Sequence, residues 1–170
     1  MKKIFVLIVS TFLFSQSYAA TYGSPVKENI KQGEQIKSMT MLITNYDDFK
    51  KEWDSTSFEH KPHAKVTNKA KIGDTVNLVI FFSNCLPDQE SNCNVSFKAR
   101  LFKGDKLIYE TPKKEQQAPF MEDTILQLSN MTLETKFEDN DEGQYRYNVE
   151  VTDENADDTV VLSTYISVTK

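Results

Sequence analysis

Several residue types that build well-known active sites are scarce in this 170-residue chain, which has two cysteines, two histidines and five glycines. There is no glycine-rich phosphate loop. Cys85 and Cys93 are too far apart in sequence for the Cys-x-x-Cys motif of thioredoxin-like redox sites. Together with His60 and His63 they provide four nitrogen and sulfur donors, but not at the spacing typical of zinc sites. The sequence therefore predicts no cofactor and no metal centre.

Positive charge is also limited, with 20 basic against 25 acidic residues, and Arg100 and Arg146 are the two arginines. Nucleic-acid binding relies on clustered lysine and arginine that displace counterions. Anionic membrane surfaces likewise attract polybasic segments. We therefore expect a protein partner, and neither nucleic-acid binding nor stable membrane insertion of the processed chain.

Long apolar runs are missing except at the start of the chain, where two lysines precede Ile4–Phe14. This run is shorter than the roughly 20 residues that span a bilayer, and its layout is typical of a secretory signal peptide. Ser17 and Ala19 provide the small residues that signal peptidase requires, which predicts a signal peptide over 1–19 with cleavage after Ala19. Cleavage would leave 18 basic and 25 acidic residues, a net charge of −7 with neutral histidines. The predicted location is the periplasm or the extracellular space.

An oxidising compartment changes the interpretation of the cysteine pair, which lies in the stretch SNCLPDQESNC. Two cysteines in an exported chain favour a disulfide between Cys85 and Cys93. Such a bond would hold a rigid loop with Leu86, Pro87 and Asp88 at its tip. These three residues are candidate contacts for a partner.

Aromatic residues follow a helical period near the start of the processed chain. Residues 20–38 are polar and aperiodic, which predicts a flexible extension. A short helix is predicted near 45–54, with Tyr46, Phe49 and Trp53 on one face. This face either packs over the core or serves as an exposed aromatic anchor for a partner, and the sequence leaves both alternatives open.

From residue 63 onward the hydrophobic period is two. Residues 144–152 show it most clearly, since Tyr145, Tyr147 and Val149 alternate with polar residues, and Thr75–Phe82 is apolar on both faces, as in a central strand. The predicted strands cover Met39–Thr44, Thr75–Phe82, Asn94–Phe102, 107–110, Ile125–Leu128, Met131–Phe137, 144–152 and 160–168, with 112–122 as a loop. Seven or eight short strands separated by turns predict an all-β antiparallel β-sandwich in one domain, 39–170.

The segment DNDEGQYRY, residues 139–147, resembles the Asp-x-Gly-x-Tyr segment before strand F of immunoglobulin-like domains. The matching residues are Asp141, Gly143 and Tyr145, and the resemblance covers about residues 64–170. It implies an immunoglobulin-like sandwich in which the tyrosine hydroxyl bonds to upstream backbone, a tyrosine corner. Tyr147 stands where antibody-type domains carry their second core cysteine, so the resemblance is to the wider superfold.

The layout is also similar to that of small exported bacterial proteins of unassigned function. In these, a short aromatic helical segment precedes a strand ending in Phe-Phe-Ser-x-Cys, and a second cysteine follows shortly after. This resemblance implies a fold and a compartment but no chemistry, because one superfold hosts many functions. We therefore expect a non-catalytic binding module whose partner is another envelope or extracellular protein.

The alternative is a secreted hydrolase or cation-dependent enzyme. Glu59 with His60 and His63, or Asp139 with Asp141, would then need to meet in a concave pocket with shifted pKa values.

Cation binding by the acidic turns is a related open question, because oxygen-rich loops can hold a hard cation. These turns contain Asp139, Asp141 and Glu142, and Asp153, Glu154, Asp157 and Asp158.

Overall fold

The computed structural model describes residues 5–6, 36–55, 62–121 and 125–170. These ranges contain ten strands and one helix. The strands are β1 (Phe5–Val6), β2 (Lys37–Ile43), β3 (Lys69–Lys71), β4 (Thr75–Ser83), β5 (Asn92–Lys103), β6 (Lys106–Glu110), β7 (Lys114–Pro119), β8 (Ile125–Lys136), β9 (Gly143–Asp153) and β10 (Asp158–Thr169), and the helix is α1 (Tyr46–Ser55). One sheet has the order β1-β8-β4-β2 and the other β3-β10-β9-β5-β6, with β7 also paired to β5. The prediction of an all-β sandwich with one short helix is confirmed.

The core lies between the two sheets and follows from the alternation of side chains along each strand. In β9, Tyr145, Tyr147, Val149 and Val151 are all buried, and the residues between them face outward. The inner core also contains Val76, Leu78, Ile80, Phe82, Val95, Phe97, Ala99 and Ile166.

Strand β4 is apolar on both faces because the helix covers its outer side. Phe49 and Trp53 of α1 pack in a second cluster with Val79 and Phe81 of β4 and with Ile43 of β2. The first sheet is therefore buried on one face by the second sheet and on the other by α1.

Contacts also join the two sheets along their edges. On one side the hydroxyls of Thr40 in β2 and Thr164 in β10 share a hydrogen bond of 2.6 Å. On the other side the Gln116 side chain of β7 bonds to the backbone of β8, accepting from the Asn130 N–H at 2.6 Å and donating to the Leu128 carbonyl at 3.5 Å. The carboxamide of Gln116 thus takes the place of a peptide group in a neighbouring strand.

The start of the domain differs from the prediction of a flexible extension to residue 38. Ile36 is only 1% exposed, and β2 already begins at Lys37, because its residues pair with Phe82 and Ser83 of β4. The rest of the predicted extension and the cleavage site after Ala19 lie outside the described residues. Within the predicted signal peptide, β1 pairs with Leu126 and Ile125 of β8.

The predicted loop at 112–122 is wrong over Lys114–Pro119, which forms β7 along residues 92–97 of β5. The polar residues of β7 show no alternation of apolar and polar side chains, so its strand conformation depends on pairing with the long strand β5. Pro119 is the last residue of this edge strand, a position where its missing N–H is tolerated.

The two strands predicted at Ile125–Leu128 and Met131–Phe137 form one strand, β8. The register with β4 shifts between Val79 and Phe81, which leaves Ser129–Met131 as an irregularity within β8. The Ser129 hydroxyl bonds to the Met131 carbonyl at 2.8 Å and satisfies backbone that leaves the ladder there.

Candidate functional site

The loop between β4 and β5 is closed by the predicted disulfide, so that prediction is confirmed. Cys85 and Cys93 are bonded, with their Cα atoms 5.7 Å apart, and both are buried. Asn84 and Ser91, the first and last residues of this loop, have φ values of 59° and 60°, in the left-handed region. The disulfide therefore holds the start and the finish of this loop close together at one end of the sandwich.

Asp88 braces this loop from within. Its carboxylate accepts hydrogen bonds from the backbone N–H groups of Asn92 at 2.8 Å and Glu90 at 2.9 Å, and from the Asn94 amide at 3.1 Å. These bonds, led by the one from Asn92, lower the pKa of Asp88 because they favour its charged form. The carboxylate of this candidate contact residue therefore has a structural role within the loop.

A second brace comes from the turn between β9 and β10, and the sequence reasoning missed it. Asp153 is fully buried, and one of its oxygens accepts a hydrogen bond from the Leu86 N–H at 2.6 Å. The other accepts from the N–H groups of Asn155 at 3.0 Å and Ala156 at 3.3 Å. Asp153 continues the inward alternation of β9, a signal that separates it from the solvated acids of the same turn.

Asn155 completes the connection between the two loops. Its side-chain amide donates to the Leu86 carbonyl at 2.8 Å and the Asn92 carbonyl at 3.2 Å, while its oxygen accepts from Asn94 at 2.9 Å. We call the side chains of Asp88, Asn94, Asp153 and Asn155 the polar brace.

The tip of the loop projects from this base. Leu86 is 39% exposed and Pro87 is exposed. The arrangement thus presents a small apolar tip, held by a covalent bond and by the polar brace.

The aromatic face of α1 is placed differently. Phe49 and Trp53 are buried, with the Trp53 ring 5.3 Å from that of Phe81. Tyr46 is half-buried and its hydroxyl accepts a hydrogen bond from Thr132 at 3.0 Å. Of the two alternatives left open by the sequence, the placement of Phe49 and Trp53 corresponds to packing, so these two are not an exposed anchor.

The residues of the segment that resembles immunoglobulin-like domains lie in the turn before β9 and at the start of that strand. The Tyr145 hydroxyl donates a hydrogen bond to the Asp141 carbonyl at 2.8 Å. Burial raises the pKa of Tyr145. Gly143 has a φ of 138°, where a side chain would strain the backbone.

Of the residues of the enzyme alternative, His63, Asp139 and Asp141 lie in the described ranges; Asp139 is in an exposed turn, and the Asp141 carboxylate accepts a hydrogen bond from the Glu138 N–H at 2.9 Å. The His63 side chain is 91% exposed and lies 3.3 Å from a carboxylate oxygen of Glu52, while Glu59 and His60 lie outside the described residues. Among the described residues, no three histidine, cysteine or acidic side chains are grouped so that they could hold a metal ion. No helix in these ranges is long and apolar enough to cross a membrane.

Comparison with known proteins gives structural similarities alone. No protein-family model matches the chain, and no curated protein matches it either. The chain is similar to a CARDB domain of a Pyrococcus furiosus protein solved with di-metal ions, at 13% identity and a TM-score of 0.42, over 80% of this chain and 96% of that one. A family 123 glycoside hydrolase from Clostridium perfringens matches at 13% identity and a TM-score of 0.42, over 79% of this chain and 27% of its own length. A β-glucosidase from Listeria innocua matches at 10% identity and a TM-score of 0.41, over 80% of this chain and 16% of its own length.

Proposed function

We propose that the chain is an exported, non-catalytic binding module with an immunoglobulin-like fold, whose partner is another envelope or extracellular protein. The disulfide between Cys85 and Cys93 supports an oxidising compartment, where such bonds persist. The bond from Tyr145 to Asp141 supports the immunoglobulin-like assignment, because it has the form of a tyrosine corner.

Strand β6 is the observation that carries the binding function. Its three central residues, Leu107, Ile108 and Tyr109, are 47%, 44% and 49% exposed, and β6 ends its sheet. Single exposed apolar residues are common on protein surfaces, but consecutive ones at a sheet edge favour association. In a chain whose other apolar strand residues are largely buried, this edge is the best-supported contact surface.

A native co-purification tests this function. The exported protein, tagged at its C-terminus, is recovered from envelope extracts and its mass is measured in solution. We expect it in a complex of defined stoichiometry, and we expect the triple change Leu107→Ser, Ile108→Ser and Tyr109→Ser to release the partner while leaving the fold intact. Recovery of the unaltered protein alone and monomeric would contradict the proposal.

Leu86→Ser is the matched comparison, because it alters an exposed apolar residue at the end of the sandwich. If β6 is the contact, this variant keeps its partner. Loss of the partner in Leu86→Ser, with retention in the triple variant, would move the contact to the disulfide-closed loop between β4 and β5, here called the stapled loop, and contradict the role of β6.

The hydrolase alternative is not favoured by a specific contact. His63 is solvated and held by Glu52, whose pKa is lowered chiefly by the hydrogen bond from the His63 backbone N–H.

A further inference from the structure

The two arginines lie on the same outer face of the second sheet, in different surroundings. Arg100 forms ion pairs with Glu110 and Glu150, and these bonds raise its pKa. Arg146 forms no ion pair with any carboxylate of the described residues. Its guanidinium instead lies over the Phe102 ring, 4.7 Å from the ring centroid.

Strand register places Arg146 in a row of large side chains. Beyond a register shift between Leu101 and Phe102 of β5, Leu107 of β6 pairs with Phe102. Phe102 pairs with Arg146 of β9, and Arg146 pairs with Tyr165 of β10. Directly opposite residues in a sheet point to the same face. We call Leu107, Phe102, Arg146 and Tyr165 the Arg146 stripe; three inter-strand gaps of about 4.8 Å make it about 14 Å long.

The stripe lies on the solvent side of the sheet. The residues on either side of Arg146 in β9, Tyr145 and Tyr147, point inward and are buried. Leu107 is 47% exposed, and Phe102, Arg146 and Tyr165 are half-buried. The outer face of the stripe is therefore partly open to a partner.

Arg146 has fewer ion-pair and hydrogen-bond partners than Arg100 among the described residues. Its Nε is buried and makes no hydrogen bond within the described ranges. The cation–π contact with Phe102 provides no hydrogen-bond acceptor for the N–H donors of the guanidinium. The acids in the neighbouring rows already have cations, since Glu110 is paired with Lys98 and Arg100, and Glu150 with Arg100.

We propose that the Arg146 stripe docks a segment of the partner protein in which a carboxylate side chain lies between two apolar side chains. Charge complementarity argues for this occupant, because a guanidinium binds a planar carboxylate through two parallel hydrogen bonds. Leu107 and Tyr165 at the ends of the stripe provide apolar contact on both sides. This inference rests on the proposed function and names the partner chemistry of one surface.

Other occupants fit the stripe less well. Nucleic acid and anionic lipid require clusters of cations, and the stripe has one. A second copy of the chain docked symmetrically on this face would offer the guanidinium no carboxylate, because a two-fold interface uses the same patch on both subunits and the stripe contains no acid.

The experiment is a titration followed by NMR of the exported protein, labelled with 15N. The probes are the peptide acetyl-Leu-Ala-Glu-Ala-Leu-amide, whose two Leu side chains and Glu side chain share one face of an extended backbone, and its Gln and Lys counterparts, each up to about 10 mM, a range that reports dissociation constants of about 1 mM. We expect the Glu peptide to shift the Arg146 Nε–H signal and the amide signals of Phe102 and Tyr165. We expect the Gln and Lys peptides to bind at least tenfold more weakly.

Variants distinguish the contribution of the Arg146 guanidinium to peptide affinity from that of positive charge on this face. Arg146→Gln should abolish binding of the Glu peptide, and Arg146→Lys should weaken it at least fivefold, since lysine keeps the charge but not the paired donors. Arg100→Gln is the matched control on the same face and should change the affinity less than twofold. Retained dispersion of the amide spectrum verifies the fold of each variant.

Three results of the peptide titration would overturn the inference: no binding of the Glu peptide, equal binding of the Gln peptide, or signal shifts confined to the stapled loop. Self-association through this face, seen as shifts that depend on protein concentration alone, would also overturn it. Because the native complex is measured separately, failure of the peptides with retention of that complex rejects the docking chemistry while the binding function stands.

Discussion

Tyr147 lies at the centre of the core, where a polar hydroxyl needs a partner. The residue is fully buried, and burial raises its pKa to about 12. Its hydroxyl lies near that of Thr135, yet neither makes a hydrogen bond of acceptable geometry with any described residue. A buried hydroxyl without such a bond costs stability.

We predict that Tyr147→Phe raises the free energy of unfolding by about 1 kcal/mol, because it removes a desolvated hydroxyl and keeps the ring. Urea denaturation of the variant and of the unaltered protein measures the difference. Tyr109→Phe, which alters an exposed tyrosine, should leave the value unchanged. A loss of more than about 1 kcal/mol in Tyr147→Phe would mean that the hydroxyl is well bonded.

The same residue predicts a dependence on alkaline pH. A raised pKa in the folded state means that stability is complete below the ordinary tyrosine value of about 10 and falls as pH rises through about 12. The advantage of Tyr147→Phe should therefore grow between pH 10 and 12. Equal slopes for the two proteins in this window would contradict the buried state of Tyr147.

Asp153 is the residue on which the shape of the stapled loop most depends. We predict that Asp153→Ala lowers the free energy of unfolding by about 3 kcal/mol, because the N–H groups of Leu86, Asn155 and Ala156 lose their buried acceptor. Urea denaturation measures the loss, and Asp139→Ala, in an exposed turn, is the control. A change below about 0.5 kcal/mol, as at ordinary surface sites, would show that water replaces the carboxylate.

At the scale of elements, the disulfide and the polar brace act on the same loop in different ways. The covalent bond restricts the unfolded chain, whereas the hydrogen bonds of Asp88 and Asp153 stabilise the folded one. We predict that the double change Cys85→Ser and Cys93→Ser costs about 2–3 kcal/mol, the loop-closure value for a nine-residue ring. Its urea midpoint should equal that of the unaltered protein in reductant, and the amide signals of β9 should keep their positions.

If the double variant unfolds at the same urea concentration as the oxidised protein, the loop-closure account is wrong. Loss of the β9 signals would mean that the disulfide, and not the polar brace, sets the shape of this end of the sandwich.

The elements differ in how far the sequence alone could predict them. Strand β9 alternates along its whole length, and β5 and β10 do so over most of theirs, because one face is buried and the other solvated, so their pattern is visible locally. Strand β7 has no such pattern. Its extended conformation comes from pairing with β5. The irregularity at Ser129–Met131 looked like a gap between two strands for the same reason: the register with β4 is set by tertiary contacts.

The candidate sites also differ in how far the sequence alone could predict them. Pairing of Cys85 with Cys93 followed from compartment and number, and the inward position of Asp153 was readable from the parity of β9. The Arg146 stripe was not predictable, because it needs the register of four strands, β6, β5, β9 and β10. Each strand contributes one residue, and only Phe102 and Leu107, on either side of the β5–β6 turn, are near each other in the sequence.

At the scale of the whole molecule, β4 belongs to two apolar clusters at once. Leu78, Ile80 and Phe82 face the second sheet, and Val79 and Phe81 face the helix α1. Because both clusters contain residues of β4, displacement of this strand would disrupt both of them. The helix and the sandwich therefore should unfold together, although α1 is short and lies outside the space between the sheets.

Trp53 makes this prediction measurable, since it is the one tryptophan of the chain and lies in the helix cluster. We expect the urea transition followed by tryptophan fluorescence to coincide with the transition followed by far-ultraviolet circular dichroism, as in two-state unfolding. Trp53→Phe, followed by circular dichroism, is the control for the effect of the probe itself. A fluorescence transition at lower urea would mean that α1 detaches as a separate unit, exposing the apolar outer face of β4 before the sandwich opens.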